Sequence, residues 1–219
     1  MNSLNSYINT EIKPLKHSDS IMEAQDLFED FSYSHFPVTE EGIYIGCITK
    51  ETVEFSKSEA LINDSRFHFE RFFVRSSMIW LDVLEVFAKN DANILPVLDE
   101  KNNYIGYYEL EDVIRFLHET PFLKEEGGIL IIEKELNTFS MSQVAQIIES
   151  NNAKILGLFI SNVANNKVEI TVKISQSGLN EIIQTFRRYD FEIISEHQED
   201  SYLNSLKERS DYLDKYLNI

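Results

Sequence analysis

Few side chains in this sequence have the type and spacing to do chemistry. Five histidines stand at His17, His35, His68, His118 and His197, and none is spaced from another as metal ligands are. Zinc needs clustered His, Cys or carboxylate donors, so no metal centre is expected. His35 precedes Phe36-Pro37-Val38 and can reach a ligand, but a hydrogen-bonded structural role is the simpler expectation. The one cysteine, Cys47, lies in an apolar run beside Gly46. A buried thiol there acts as a small apolar group, so no reactive role is expected. No G-x-S-x-G, P-loop or G-x-G-x-x-G segment is present, and no Ser, His and Asp set stands out as a triad. Many carboxylates exist, but none forms a pair whose geometry a sequence can define. No enzyme is expected. Trp80 falls at the start of a helical pattern and is expected to pack.

The bulk properties narrow the classes further. The chain has 219 residues and a formal net charge of -17. That length suits one large domain or two modest ones. Hydrophobic residues make up 43%, enough for a packed core. The acidic balance counts against nucleic acid and against an anionic membrane surface, since both need a basic face. Neither half of the chain is basic, which reads as a solvated surface. One cysteine excludes a disulfide framework. No apolar run approaches the roughly 18 residues of a transmembrane helix. The N-terminal stretch lacks the long apolar core of a signal peptide, so the cytoplasm is the expected compartment. Seven Gly and four Pro leave little room for Gly-rich loops that cradle phosphate.

What organises the first half is a repeat. Phe36-Pro37-Val38 answers Leu95-Pro96-Val97, and Tyr44-Ile45-Gly46 answers Tyr104-Ile105-Gly106. The Pro-to-Gly distance is nine residues in one copy and ten in the other, a one-residue difference in a turn. Each copy reads as an extended lead-in (12–15; 72–75), a helix, a short strand (35–39; 94–99), a polar turn, a second strand (43–49; 104–109) and a closing helix. Ser20 with Glu23 forms a capping-box signature for the first helix. Ala24, Leu27, Phe28 and Phe31 follow on one helical face, and Val83, Val86 and Phe87 answer the first three. Pro121 is expected to stop the second closing helix. The order per copy is β-α-β-β-α.

Two tandem copies with these motifs resemble a pair of cystathionine-β-synthase (CBS) domains, a Bateman module. The resemblance covers roughly residues 7–120. It implies two small sheets packed face to face, with clefts between them that in the family often take adenine nucleotides. In the family a Thr or Ser often lies three residues after the Gly, and an Asp three after that. The hydroxyl donates to phosphate and the carboxylate accepts from ribose hydroxyls. Here each copy keeps half of that pattern. Gly46 is followed by Thr49 and Thr52, and Gly106 by Glu109 and Asp112. The resemblance implies cleft walls from Ile12, Ser34, His35 and Phe36 in copy one and from Phe73, Asn93, Ile94 and Leu95 in copy two. Ordinary core packing is the simpler expectation for the apolar members.

Residues 127–196 show another pattern. Gly127-Gly128 marks a break, followed by the apolar run 129–133. Ser140 with Gln143 forms a second capping-box signature, and Met141, Val144, Ile147 and Ile148 recur at helical spacing. Two strands (155–163; 168–174) meet at the turn Ala164-Asn165-Asn166. Val168, Ile170, Val172 and Ile174 alternate with polar residues, as a strand with one buried face does. Ser177 can cap a helix that ends at Arg187 and Arg188, where cations complement the dipole. A last strand is expected at 191–195. The order βαββαβ is the ferredoxin-like plan. After a CBS pair, such a segment resembles an ACT-like domain, an architecture similar to AcuB-type acetoin-utilisation proteins. The loop Leu136-Asn137-Thr138-Phe139 lacks the Gly that many ACT domains use against an amino acid. Residues 198–219 read as a C-terminal helix with one leucine stripe.

The expected fold is therefore α+β. It comprises a CBS pair at 1–124 (copies about 7–60 and 66–120), an ACT-like domain at 125–197 and a helix at 198–219. The expected function is a regulatory small-molecule-binding module. The resemblance implies an adenine nucleotide as ligand (AMP, ADP, ATP or S-adenosylmethionine), and no cofactor is required. The alternative is a ligand-free dimerisation or protein-interaction module with degenerate nucleotide sites. A homodimer is expected either way.

Overall fold

The structure is a computed structural model, and it describes residues 4–175 and 178–195. The chain divides into two units, with the boundary between Leu117 and His118. Residues 118–124 thus group with the second half, not with the repeat. The helix expected at 198–219, His197 and the Ser177 cap lie outside the described residues.

Copy one holds β1 (Leu15–Lys16), α1 (Ile21–Asp30), β2 (His35–Glu40), β3 (Ile43–Thr49) and α2 (Lys50–Glu54). Copy two holds β4 (Val74–Arg75), α3 (Trp80–Lys89), β5 (Ile94–Leu98), β6 (Tyr104–Glu109) and α4 (Leu110–His118). Each makes a three-stranded sheet, β1-β2-β3 and β4-β5-β6, with one parallel and one antiparallel pairing. The copies share register: Val38 faces Gly46, Val97 faces Gly106, and a bulge follows each valine. The Ser20–Glu23 capping box forms as expected, with Ser20 N donating to the Glu23 carboxylate at 2.8 Å. Ala24 and Phe28 are buried, while Phe31 leaves the helix at its C-cap and is partly exposed.

The lead-in strands are shorter than 12–15 and 72–75, because only two residues of each reach the ladder. The segments before them cross to the other copy. Asn9 N donates to Tyr107 O at 2.8 Å and Tyr107 N to Asn9 O at 2.9 Å. Glu70 and Cys47 exchange the same two bonds, at 2.7 and 3.0 Å. The residue before each crossing is a glycine. A Cβ on Gly106 would stand 2.6 Å from Asn9 O and 2.5 Å from Ile8 Cγ2, at φ +147. One on Gly46 would stand 2.8 Å from Phe69 Cβ, at φ +150. The two hydrophobic cores interlock accordingly. Leu4 and Cys47 sit in the core of copy two, and Phe69 sits in that of copy one.

α4 ends at His118, and Thr120 ahead of Pro121 is extended, as a residue before proline must be; Pro121 also opens the short helix α5 (Pro121–Lys124). Its missing N–H costs nothing at a first helical position.

The second unit adds β7 (Gly127–Glu135), α6 (Met141–Ser150), β8 (Ile155–Ala164), β9 (Lys167–Ser175), α7 (Leu179–Arg188) and β10 (Glu192–Ile193). The sheet order is β10-β7-β9-β8 with every pairing antiparallel, the ferredoxin-like arrangement. Val168, Ile170, Val172 and Ile174 are fully buried against α6 and α7. Asn165 and Asn166 take left-handed backbone in the hairpin turn, at φ 51 and 61. Three expectations are corrected. Gly127 and Gly128 belong to β7 and do not form a break. Ser140 makes no side-chain cap: Gln143 N donates to Ser140 O at 3.1 Å, and the Gln143 side chain accepts from Lys134 Nζ at 2.8 Å instead of turning back. The last strand is confined to Glu192–Ile193, where the ladder to β7 ends.

The crossing makes Gly106 the position most sensitive to a methyl group. Gly106→Ala should cost about 1–3 kcal/mol, the usual range for overpacking, or more where backbone must move. Urea unfolding measures it, and a loss under about 0.5 kcal/mol, the size of an ordinary surface change, would show that the crossing is not tight.

Candidate functional site

The repeat places Thr49 and Glu109 at matching positions, each ending a strand and leading into a helix. Thr49 is the N-cap of α2. Its hydroxyl accepts from Thr52 N at 3.2 Å and lies 2.9 Å from the Thr52 hydroxyl. A short oxygen side chain on extended backbone suits that place, since it satisfies a free helix N–H. Glu109 turns toward copy one. Its carboxylate accepts from the Tyr33 hydroxyl at 2.7 Å and from Asn9 Nδ2 at 3.4 Å. Burial and the Glu109 carboxylate push the Tyr33 hydroxyl far above the usual tyrosine range.

Asp112 matches Thr52 and sits in the first turn of α4, accepting from Arg115 Nη1 at 2.9 Å. Burial raises its pKa first, the neighbouring Glu109 raises it further, and Arg115 opposes both. This half of the pair therefore holds two carboxylates that resist a third negative charge. At about 4 Å and an effective dielectric near 20, each such contact with a phosphate costs roughly 4 kcal/mol.

Ser34 and Asn93 also match, one residue before β2 and one before β5. They bond to each other across the two copies. Asn93 Oδ1 accepts from Ser34 N at 2.8 Å, and Asn93 N donates to Ser34 Oγ at 3.1 Å. Asn93 Nδ2 donates to Ser32 O at 2.8 Å. The network continues through His35, whose Nδ1 is 2.7 Å from Ser34 Oγ and whose Nε2 is 3.2 Å from the Glu70 carboxylate. A carboxylate only accepts, so the neutral ring carries its proton on Nε2, and the one Ser34 hydroxyl proton faces both His35 Nδ1 at 2.7 Å and Asn93 Oδ1 at 3.0 Å. Burial lowers the His35 pKa, with Glu70 acting the other way. His35 is thus a buried, hydrogen-bonded residue whose ring also packs edge-on to Phe72.

Phe36, Ile94 and Leu95 are core residues, at most 1% exposed. Ile12 lines a cavity of about 410 Å³ beside α1, with Leu27 and Phe31 but without Glu109 or Asp112. Phe73 is partly exposed and lines another cavity with Tyr44 and Arg71. Thr49 and Thr52 share a third cavity, of about 470 Å³, with Ser56, Ser65 and His68. Its wall also carries Glu51, Asp64 and Glu70. Sequence reading missed Glu70, Tyr33 and these two acids. Glu70 lies two residues ahead of a lead-in and Glu51 between Thr49 and Thr52, so both were within reach; Tyr33 and Asp64 lie outside the repeated motifs.

Cys47 is fully buried, and burial pushes its thiol up to about 12. Among the described residues no group of three or more His, Cys, Asp or Glu could hold a metal ion. No helix among them is long and apolar enough to cross a membrane.

The CBS domain family model matches residues 4–53 and 70–119. Residues 4–119 fold as a tandem CBS pair. Among solved structures, the chain is similar to a CBS domain pair/ACT domain protein from Thermotoga maritima. Identity is 19% and the TM-score 0.49, over 53% of this chain and 97% of that one. It is also similar to the CBS domains of a transcriptional regulator from Streptococcus pneumoniae, at 19% identity and TM-score 0.46, over 52% of this chain and 97% of that one. A third is CBSX2 in complex with AMP, at 16% identity and TM-score 0.43, over 52% of this chain and 95% of that one. No curated protein matches the sequence significantly.

The His35 network has a pH signature. A histidine with a lowered folded pKa stabilises fully above its unfolded value, about 6.5, and loses that contribution as pH falls toward the folded value. Unfolding free energy should therefore drop as pH is lowered from about 7.5 through that unfolded value. His35→Gln should flatten the drop. If the variant and the wild type decline in parallel, His35 is not the titrating group.

Proposed function

We propose, from the tandem CBS pair of residues 4–119, a regulatory module that takes an adenine nucleoside ligand in the cleft beside Thr49 and Thr52. The observation that carries this reading is the asymmetry between the matching positions. Thr49 and Thr52 line an open cavity of about 470 Å³, whereas Glu109 is bonded to Tyr33. CBS pairs often take adenine nucleotides, and that family match is what makes adenine the first candidate. The acids Glu51, Asp64 and Glu70 in the wall disfavour a phosphate tail. They suit ribose hydroxyls and a cationic group, so S-adenosylmethionine should rank above AMP and AMP above ATP. A ligand touching both copies would favour one of their relative orientations and pass that bias to the second unit or to a protein partner. We read the second unit as ACT-like, the assembly as a homodimer and the compartment as the cytoplasm. Regulation, and not turnover, is the implied role.

The second reading is a dimerisation or interaction module that binds nothing. The Tyr33–Glu109 bond and the mutual Ser34–Asn93 bonds favour it, because they fill contact positions that a ligand would use.

A thermal-shift series with S-adenosylmethionine, AMP, ADP and ATP separates the two. A ligand at 100 times its dissociation constant adds about 2.7 kcal/mol, a clear rise in Tm. The expected order of shifts is S-adenosylmethionine, AMP, ADP and then ATP, following the growing phosphate charge, with Thr52→Val reducing the shift and Asp112→Ala leaving it. No shift with any of the four would move the assignment to the ligand-free module.

A further inference from the structure

The two hairpins are stitched together at the ends remote from Thr49. Tyr44 N donates to Asn102 O and Tyr104 N donates to Gly42 O, both at 3.1 Å. Beside this seam lies a cavity of about 360 Å³. Small-molecule sites run from roughly 300 to 1,000 Å³. Its lining comes from both copies, with Ile43, Tyr44 and Ile45 from one, and Phe73, Leu98 and Asn102 from the other. Tyr44 and Phe73 form an aromatic wall, their ring centroids 6.1 Å apart at 67°.

That wall is held in place. Tyr44 donates its hydroxyl proton to Phe72 O at 2.7 Å. The Arg75 guanidinium lies 5.4 Å from the centre of the Phe73 ring and donates to Asp99 O and, at 2.8 Å, to Asn102 Oδ1. Two more arginines, Arg66 and Arg71, complete the lining. Arg66 pairs with Glu40 at 3.2 Å. Arg71 has neither an ion pair nor a hydrogen bond among the described residues. In a chain of net charge -17, two arginines thus line one aromatic cavity and a third braces its Phe73 wall, and of the three only Arg66 has an ion pair among the described residues.

We propose that this cavity binds a small planar aromatic molecule bearing an anionic group, its ring against Phe73 and Tyr44 and its phosphate or carboxylate on Arg71 and Arg66. A guanidinium presents paired N–H groups that match either anion in a fork. The site is separate from the Thr49–Thr52 cleft and carries the opposite charge. Because both copies line it, an occupant would reinforce the seam between the hairpins.

The probes are phenyl phosphate, benzoate and inorganic phosphate, titrated into the full chain and followed by two-dimensional NMR. Phenyl phosphate or benzoate should bind at least tenfold more tightly than inorganic phosphate and shift resonances around Phe73. Arg71→Gln should weaken that binding at least tenfold, while Thr52→Val leaves it unchanged. The Arg71 side chain is exposed, so the variant should keep its Tm; Arg71→Lys, which retains charge but not the fork, is the second variant and should fall between. Failure of both aromatic probes to bind at millimolar concentration overturns the proposal. So does equal binding of inorganic phosphate, or binding that survives Arg71→Gln.

Discussion

The first unit depends on two strand crossings, each passing beside a glycine. Asn9 lies against Tyr107, and Glu70 lies against Cys47, each through a reciprocal pair of backbone hydrogen bonds. Such close approach of two backbones leaves no room for a Cβ, and the residue before each crossing is Gly106 or Gly46. From this constraint follow the shared register, the matching bulges and the placement of Thr49 and Glu109 at equivalent helix starts. It also sends Cys47 into the core of the other copy. The role of Cys47 is accordingly one of packing.

The repeat makes the two clefts equivalent in backbone, and the side chains make them different. In one, hydroxyls stand at Thr49 and Thr52, and the wall is acidic through Glu51, Asp64 and Glu70. In the other, Glu109 has become a hydrogen-bond acceptor for Tyr33, and Asp112 is tied to Arg115. Glu109 thus makes a contact between the copies, where Thr49 at the matching position bonds within its own copy. Glu109 joins the copies through Tyr33, whereas the Asp112–Arg115 pair lies within copy two. The arginine-lined cavity at the opposite ends of the hairpins has the reverse electrostatic character.

Much of this architecture was legible in the sequence because it is local. The duplicated Pro-Val and Ile-Gly segments, the Ser20–Glu23 box and the alternation from Val168 to Ile174 each act within a few residues. The fold class and the element order followed from them. The site was less legible, because its contacts are distant in sequence. Tyr33 and Glu109 are 76 residues apart, and Ser34 and Asn93 are 59 apart. Their pairing depends on how the copies cross, which no short pattern encodes. Ser140 failed as a capping box for a related reason. Its partner Gln143 is claimed by Lys134 from another element.

The crossings also bear on whether one copy could stand alone. Leu4 packs with the core of copy two, and Phe69 packs with the core of copy one. A lone copy would have no neighbour for its leading segment to cross and no residue to fill the place that Cys47 or Tyr107 occupies. One copy alone would leave the crossing backbone groups without their partners and a gap in its core, so the two copies gain their stability together.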